Sequence, residues 1–458
     1  MNAGVKMGIN KWLEPLLALG VVAGVAHALY FLHQNHYLPQ PFFYDPADSL
    51  MDWINTAQWA HDSGTYDVWA TIYPPLSFIF LKFFSLARCY DDMQGSLSRD
   101  CDWWSITSLC GFFLVNIGLV GWSYYKIDRN TALPRTIALG VGLPALFGLE
   151  RGNLVIVCFT FFVLAYGPIL KSARWKWLCA AFAINFKIYL LPTILPQLLR
   201  RRWRWFEGAL LATIAVYVLT WGLLGRGTPT NLIKNIQDFA GIYQAVNFLD
   251  LWYAGTYGPL HSLLDGSIFP IMLVAGSTNI EMMQFWTNFA LHATQAIILI
   301  ASLAAWVRPE VVPMFRLTNF ATSFALITIE AGGYTQTLIL FLALMERWKG
   351  IGRKWVILVC YVLCLPADIT IFRFDPVVRE SFLGGRPAVL EYAISYGPFL
   401  RPGLIMSIPF ALACVTIHDV WQDIRRQGWK GRRRYRFDAP LFANGGRKID
   451  SGKAPEPA

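Results

Sequence analysis

The sequence predicts an all-α polytopic membrane protein, a bundle of about 10–12 transmembrane or re-entrant helices with loops on the outer face. Three observations carry this. Of 458 residues, 55% are hydrophobic and only 15% charged, whereas ordinary soluble domains carry about 25% charged residues. Mean hydropathy is +0.41, and apolar runs of about 20 residues recur, the length that crosses a hydrocarbon core of about 30 Å. The 19 Trp, 19 Tyr and 32 Phe gather near the ends of these runs, as interfacial aromatic belts do.

The formal charge of +10 falls in short clusters between apolar runs: Lys126/Arg129/Arg135, Lys171/Arg174/Lys176, Arg200/Arg201/Arg202/Arg204, Arg347/Lys349/Arg353/Lys354, and the tail from Arg425 to Arg436. This is the positive-inside signature and places those loops in the cytoplasm. Anionic headgroups are the natural contact of such clusters. Topology accounts for the charge, so nucleic acid is excluded as a partner and the bilayer is the medium.

The elements follow in order. Residues 12–32 are too long for the apolar core of a signal peptide and lack a small-residue cleavage site, so they read as a retained anchor helix. Lys6 and Lys11 put its start inside and leave residues 33–102 outside. Residues 73–88 then read as a short re-entrant or interfacial helix, started by Tyr73-Pro74-Pro75 because Pro fits a first helical turn. The loop 89–101 is acidic (Asp91, Asp92, Asp100, then Asp102), and Cys89 and Cys101 are placed to pair in an oxidising compartment. Residues 105–125 return inward, 136–149 run out to a turn at Glu150-Arg151-Gly152-Asn153, and 154–166 run back. Residues 175–199 begin and end beside basic loops and so read as two half-helices meeting near Lys187. Residues 206–224 go out, a long outer segment covers 225–283, 285–306 return, and 319–329 go out again. After a turn at Gly332-Gly333-Tyr334-Thr335-Gln336, residues 338–345 lead in and 356–371 exit. An outer loop over 373–401 precedes the last inward segment, 404–417. Residues 1–428 thus form one membrane domain without internal repeats, and 429–458 a basic, disordered cytoplasmic tail.

Ionisable groups at the membrane are functional candidates because they are costly there. Asp45, Asp48 and Asp52, then Glu150-Arg151, then Lys187 all emerge on the outer side, with Arg373, Arg379, Arg386 and Arg401 in the last outer loop. Carboxylates ringed by cations suit a substrate with a phosphate to hold and a hydroxyl to deprotonate. Each element also has a plainer account. Asp45 and Asp48 can cap a surface helix, Glu150-Arg151 can be a structural ion pair, and Lys187 can snorkel to the interface. Asp62 and Asp67 flank Gly64 as turn residues, with His61 at the surface beside them. No His, Cys, Asp or Glu spacing marks a metal site, and no cofactor motif is visible.

Taken in order, these segments resemble glycosyltransferase family 87, polyprenyl-phosphate-sugar-dependent enzymes of the GT-C superfamily. The resemblance rests on Asp48 to Trp53, on Gly64-Thr65-Tyr66-Asp67 leading to Tyr73-Pro74-Pro75-Leu76, on Arg151-Gly152-Asn153-Leu154, and on Lys187-Ile188-Tyr189-Leu190-Leu191-Pro192. It covers residues 40–205 well and the second half loosely. It implies transfer of a sugar, mannose or a similar hexose or pentose, from a polyprenyl-phosphate donor to a glycan or glycolipid acceptor. The site would face the periplasm across a bacterial inner membrane. It further implies an inverting reaction with Asp48, or Asp52 one helical turn on, as general base. Asp45, Tyr73, Glu150, Arg151, Asn153, Lys187, Tyr334, Gln336, Arg386 and Arg401 would line the substrates. Where family members often carry Ser-Trp-x-His-His, this chain has Gly333-Tyr334-Thr335-Gln336-Thr337, and Gln336 cannot shuttle protons. A flippase for a lipid-linked saccharide is the alternative, and a non-catalytic subunit of an envelope-polymer assembly is a third reading. Linkage and oligomeric state are not encoded in these motifs.

Overall fold

The computed structural model describes residues 9–42, 48–242, 257–264, 271–328, 332–381 and 386–429. Asp45 and the tail from residue 430 lie outside them. In chain order, α1 (Ile9–Asn35) leads to α2 (Met51–His61), α3 (Pro75–Phe83), α4 (Ser96–Cys101) and α5 (Trp103–Ile127). Then come α6 (Arg129–Gly140), α7 (Leu143–Arg151), α8 (Val155–Tyr166) and α9 (Ala173–Phe186). A 3-10 stretch, Ile188–Ile194, joins α9 to α10 (Pro196–Leu199) and α11 (Trp203–Leu224). Next are α12 (Pro229–Ile242), α13 (Tyr257–Leu264), α14 (Ile271–Ala275), α15 (Ser277–Val307), α16 (Met314–Leu326), α17 (Gln336–Ala343) and α18 (Gly350–Leu363). Strands β1 (Thr370–Arg373), β2 (Val377–Glu380), β3 (Pro387–Leu390) and β4 (Ala393–Ser395) precede α19 (Gly397–Gln427).

Among the described residues, six helices are long and apolar enough to cross a membrane: α1, α5, the α6–α7 rod, α11, α15 and α19. The protein is therefore a mostly helical, multi-pass membrane protein. The apolar helix α8 is buried along nearly its whole length, as is α17. Helices that are apolar all round belong inside a bundle. The long helices enclose them and turn side chains such as Leu16, Leu114, Leu219 and Leu303, each at least 60% exposed, towards the lipid. At nine residues α3 rises only about 14 Å, too short to cross, in line with a re-entrant or interfacial role. Cys89 and Cys101 form a disulfide. The chain also breaks at Lys187, whose extended backbone ends α9 and starts the 3-10 stretch.

One end of the bundle is fastened by buried charge. Arg135 donates from Nε and Nη2 to Glu14 at 2.8 and 2.9 Å, and from Nη1 to the carbonyls of Leu344 and Glu346. The Tyr361 hydroxyl donates to the same Glu14 carboxylate at 3.0 Å. Arg316 donates to both Glu346 oxygens, at 2.5 and 2.8 Å, and to Asp419 at 3.2 Å, which also pairs with Arg353. These bonds tie α1, α6, α16 and α18 to the segment just after α17 and to the C-terminal half of α19. Removing one partner of such a pair strands a buried charge, at a cost of about 3–5 kcal/mol.

Four expectations are corrected. The exiting segment expected over 356–371 is helical only to Leu363 and ends in β1, which pairs antiparallel with β4, while β2 pairs with β3, so the mostly helical protein carries two small ribbons here. Arg135 is not a loop cation but a buried partner of Glu14 within α6. Arg401 lies in α19, which begins at Gly397 rather than after the loop. Helix α15 starts at Ser277, so residues 277–283 are helical.

Candidate functional site

The C-terminal end of α7 meets the N-terminal end of α2, at the end of the bundle opposite the Glu14–Arg135 network. Gly152 makes this possible. It ends α7 in the left-handed region at φ +67, and an added Cβ would lie 2.8 Å from the Leu50 carbonyl oxygen and 3.0 Å from its Cα. Only a glycine fits both the conformation and the approach. The Leu50 N–H in turn donates to the Glu150 carbonyl at 2.7 Å, stitching the two helix ends together.

This junction holds the predicted residues. Arg151 donates from Nη1 to Asp48 Oδ2 at 2.5 Å and from Nη2 to Asp52 Oδ1 at 2.7 Å, one guanidinium bridging two carboxylates. Asn153 Nδ2 donates to the other Asp52 oxygen at 2.7 Å, while its Oδ1 accepts from the Val155 N–H at the start of α8. Both Asp52 oxygens are thus engaged, and its carboxylate is held in a fixed plane. Asp48 keeps 29% side-chain exposure, so solvent and ligand reach it. Glu150 is buried beside Ser49 rather than open to solvent.

Lys187 and Tyr73 form a second group. The Lys187 ammonium is buried, 3.2 Å from the Tyr73 hydroxyl and 4.4 Å from its ring centre. It has no carboxylate partner among the described residues. Ordinary snorkelling to water is ruled out by its 8% exposure. A cation balanced only by a phenol ring and hydroxyl is suited to receive an anion.

Tyr334 stacks on Phe147 of α7 with ring centres 5.9 Å apart, and the turn Gly333–Thr335 packs along that helix. Gln336 is buried as the first residue of α17. Three arginines of the last outer segment have these surroundings among the described residues. Arg401 is paired with Asp368 at 2.7 Å, Arg373 with Glu391 at 2.7 Å, and Arg386 is exposed at the end of the β2–β3 ribbon. Arg151 is the cation bonded to Asp48 and Asp52, and Lys187 is a second buried cation.

Asp62 is a turn residue, as its spacing suggests. Its Oδ1 accepts from the Gly64 N–H at 2.7 Å and its Oδ2 from the Trp69 indole at 3.0 Å, which together hold the carboxyl below the usual carboxylate range. Asp67 is exposed. His61 is not a free surface residue: it bonds to Ser85 Oγ at 2.9 Å and stacks on Tyr90. Burial, then the Lys82 ammonium, pushes its imidazole below the ordinary 6.5.

Sequence reasoning missed Arg99. It is buried, and its Nη1 donates to the Ser49 carbonyl at 3.1 Å, next to Asp48. It sits two residues before the disulfide-bonded Cys101. A lone arginine directly before Asp100 in an acidic loop was the available signal. Among the described residues, no group of three or more His, Cys, Asp or Glu side chains is placed to hold a metal.

Comparison with known proteins gives no match: no family model fits the sequence, and no curated protein and no solved structure is similar to it. The functional reading therefore rests on the motifs and on this geometry.

Proposed function

We propose that this protein is a membrane glycosyltransferase that moves a sugar from a polyprenyl-phosphate donor to an acceptor hydroxyl at the outer face of a bacterial inner membrane. The observation that carries the reading is the Asp48–Arg151–Asp52–Asn153 cluster, an accessible carboxylate pair with fixed geometry. A buried ammonium, Lys187, adds the anion-binding element. Charge supports the sidedness: Arg151 ends the span Arg129–Arg151, whose other end adjoins the basic Lys126/Arg129 segment, and positive-inside placement assigns basic loops to the cytoplasm.

In this reading Asp48 is the general base. The acceptor oxygen attacks the anomeric carbon, its proton passes to Asp48, and the bond from that carbon to the phosphate oxygen breaks with both electrons leaving on the lipid phosphate. The product is inverted at the anomeric centre. Asp52, with both oxygens engaged, positions Arg151 rather than accepting the proton. Lys187 and the Tyr73 hydroxyl stabilise charge on the departing phosphate, the term that matters most for a leaving group already acidic. General-base assistance contributes about 10²–10⁴-fold.

The test is transfer by purified protein in nanodiscs, offered a panel of short-chain polyprenyl-phosphate sugars with glycolipid acceptors. Inverted product from at least one donor is the expected result. Tight donor binding without transfer to any acceptor would instead favour movement of a lipid-linked saccharide across the bilayer.

A further inference from the structure

Helix α2 does more than carry Asp52 to the cluster. It buries Met51, Trp53, Ile54, Thr56, Ala57 and Ala60. Its opposite side presents Asp52, Asn55 and Trp59, with Asp62 at its C-terminal end, all half-buried. Offsets of three, seven and ten residues fall on one stripe of a helix. Asn55 and Gln58 on this side make no side-chain hydrogen bond among the described residues.

The stripe ends in an aromatic platform. The indoles of Trp59 and Trp69 are stacked with centres 6.1 Å apart and planes 28° from parallel. Trp69 is 43% exposed, and its N–H is anchored on Asp62. The turn that carries it is braced from behind. Asn235 Nδ2 donates to the carbonyls of Tyr66 and Thr71 at 3.0 and 3.1 Å, and the Thr65 hydroxyl donates to the Trp59 carbonyl at 2.7 Å. Arg226 closes one rim, donating to the Ala60 carbonyl at 3.2 Å.

We propose that this stripe, from Asp52 through Asn55 and Gln58 to the Trp59–Trp69 platform and Asp62, is a subsite for the sugar chain of the acceptor. It rests on the transferase reading and adds where the acceptor lies. A pyranose ring has an apolar C–H face and a rim of hydroxyls. The indole faces take the former, with Asp62 holding Trp69 in place, and the Asn55 and Gln58 amides take the latter. Length agrees: seven helical residues separate Asp52 from Trp59, about 10 Å along the axis, or about two sugar rings. A hydroxyl at Asp48 and a ring on the platform therefore belong to the same short chain. An interfacial anchor is the rival use of exposed indoles, but here they are flanked by the carboxylates of Asp62 and Asp67.

The test uses full-length protein in nanodiscs with 5-fluorotryptophan, the two resonances being assigned with Trp59→Phe and Trp69→Phe. Mannotriose, maltotriose and cellotriose are titrated as neutral linear probes. Saturable shifts of both resonances with at least one probe are expected, weakened about tenfold or more in Asp62→Asn. In transfer assays, Trp59→Leu and the more exposed Trp69→Leu raise the acceptor KM about tenfold or more, with donor KM unchanged. No shift with any probe, or broadening of both resonances by doxyl-labelled lipid, overturns the proposal. So does active transfer with unaltered acceptor KM in both Leu variants. Sugar binding that persists while no donor supports transfer leaves the subsite standing and removes the transferase reading instead.

Discussion

Gly152→Ala tests how the site is assembled, because it touches only the junction of α7 and α2. Two costs add. An L-residue in the left-handed region costs about 1–2 kcal/mol. The new methyl also lies 2.8 Å from the Leu50 carbonyl oxygen, both partners being backbone that cannot rotate away. Such overpacking costs about 1–3 kcal/mol. Gly225→Ala is the control: Gly225 has φ +74 at the end of α11, and nothing lies within 4 Å of its added Cβ. Gly225→Ala bears the first cost alone, and Gly152→Ala bears both, so the second should be destabilised more by about 1–3 kcal/mol. The Leu50 amide, bonded to Glu150 in the native protein, should lose protection from hydrogen exchange only in Gly152→Ala. If the clamp shifts by about 1 Å, transfer falls about 100-fold. Thermal unfolding and exchange in nanodiscs measure the first two effects without reference to catalysis. Equal destabilisation of the two variants, with Leu50 exchange unchanged, would refute the claim that close backbone approach at Gly152 builds the site.

Three further outcomes follow from the same contacts. Glu14→Gln and Arg135→Gln should each lower stability by about 3–5 kcal/mol, whereas an apolar double replacement should be far milder, because a stranded charge costs more than the pair contributes; unfolding midpoints of the three variants check this. His61 has its folded pKa lowered below 6.5, so its contribution to stability is complete above 6.5 and lost as pH falls from 6.5 towards the folded value, where only the unfolded chain takes the proton. The difference in unfolding midpoint between wild type and His61→Gln, followed from about pH 7.5 to about pH 5.5, should therefore shrink in acid. Reduction of Cys89–Cys101, or Cys89→Ser with Cys101→Ser, should cost about 2–4 kcal/mol. It should also raise exchange through Arg99 and Ser49 while leaving α11 protected.

Much of the helical frame was legible because periodicity and charge act locally. Tyr73-Pro74-Pro75 announces a helix start, the basic flanks of residues 175–199 force a break near Lys187, and Cys89 and Cys101 sit in one acidic loop. The partnerships were not legible. Arg151 joins Asp48 and Asp52 across 103 and 99 positions, and nothing in either segment alone indicates that both carboxylates share one guanidinium. Arg135 carried the signature of a loop cation, since positive-inside reasoning counts charges without seeing that Glu14 is 121 residues away and adjacent in space. The ribbons were lost in a stretch too short and too charged to read as strands, although Gly384-Gly385 is a hairpin signal. Arg401 pairs with Asp368 in the segment between α18 and β1, a partnership that the pattern of either segment alone does not reveal.

The most direct measurement of the central claim is single-turnover transfer by Asp48→Asn beside Asp52→Asn, with donor affinity determined in parallel. Both changes keep shape and remove charge. Loss of about 10²–10⁴-fold in the chemical step of Asp48→Asn, with donor affinity retained, is the predicted result. Asp52→Asn should lose less and be partly restored by a longer Glu at the same position. Transfer at the wild-type rate in Asp48→Asn would contradict the assignment of Asp48 as the base.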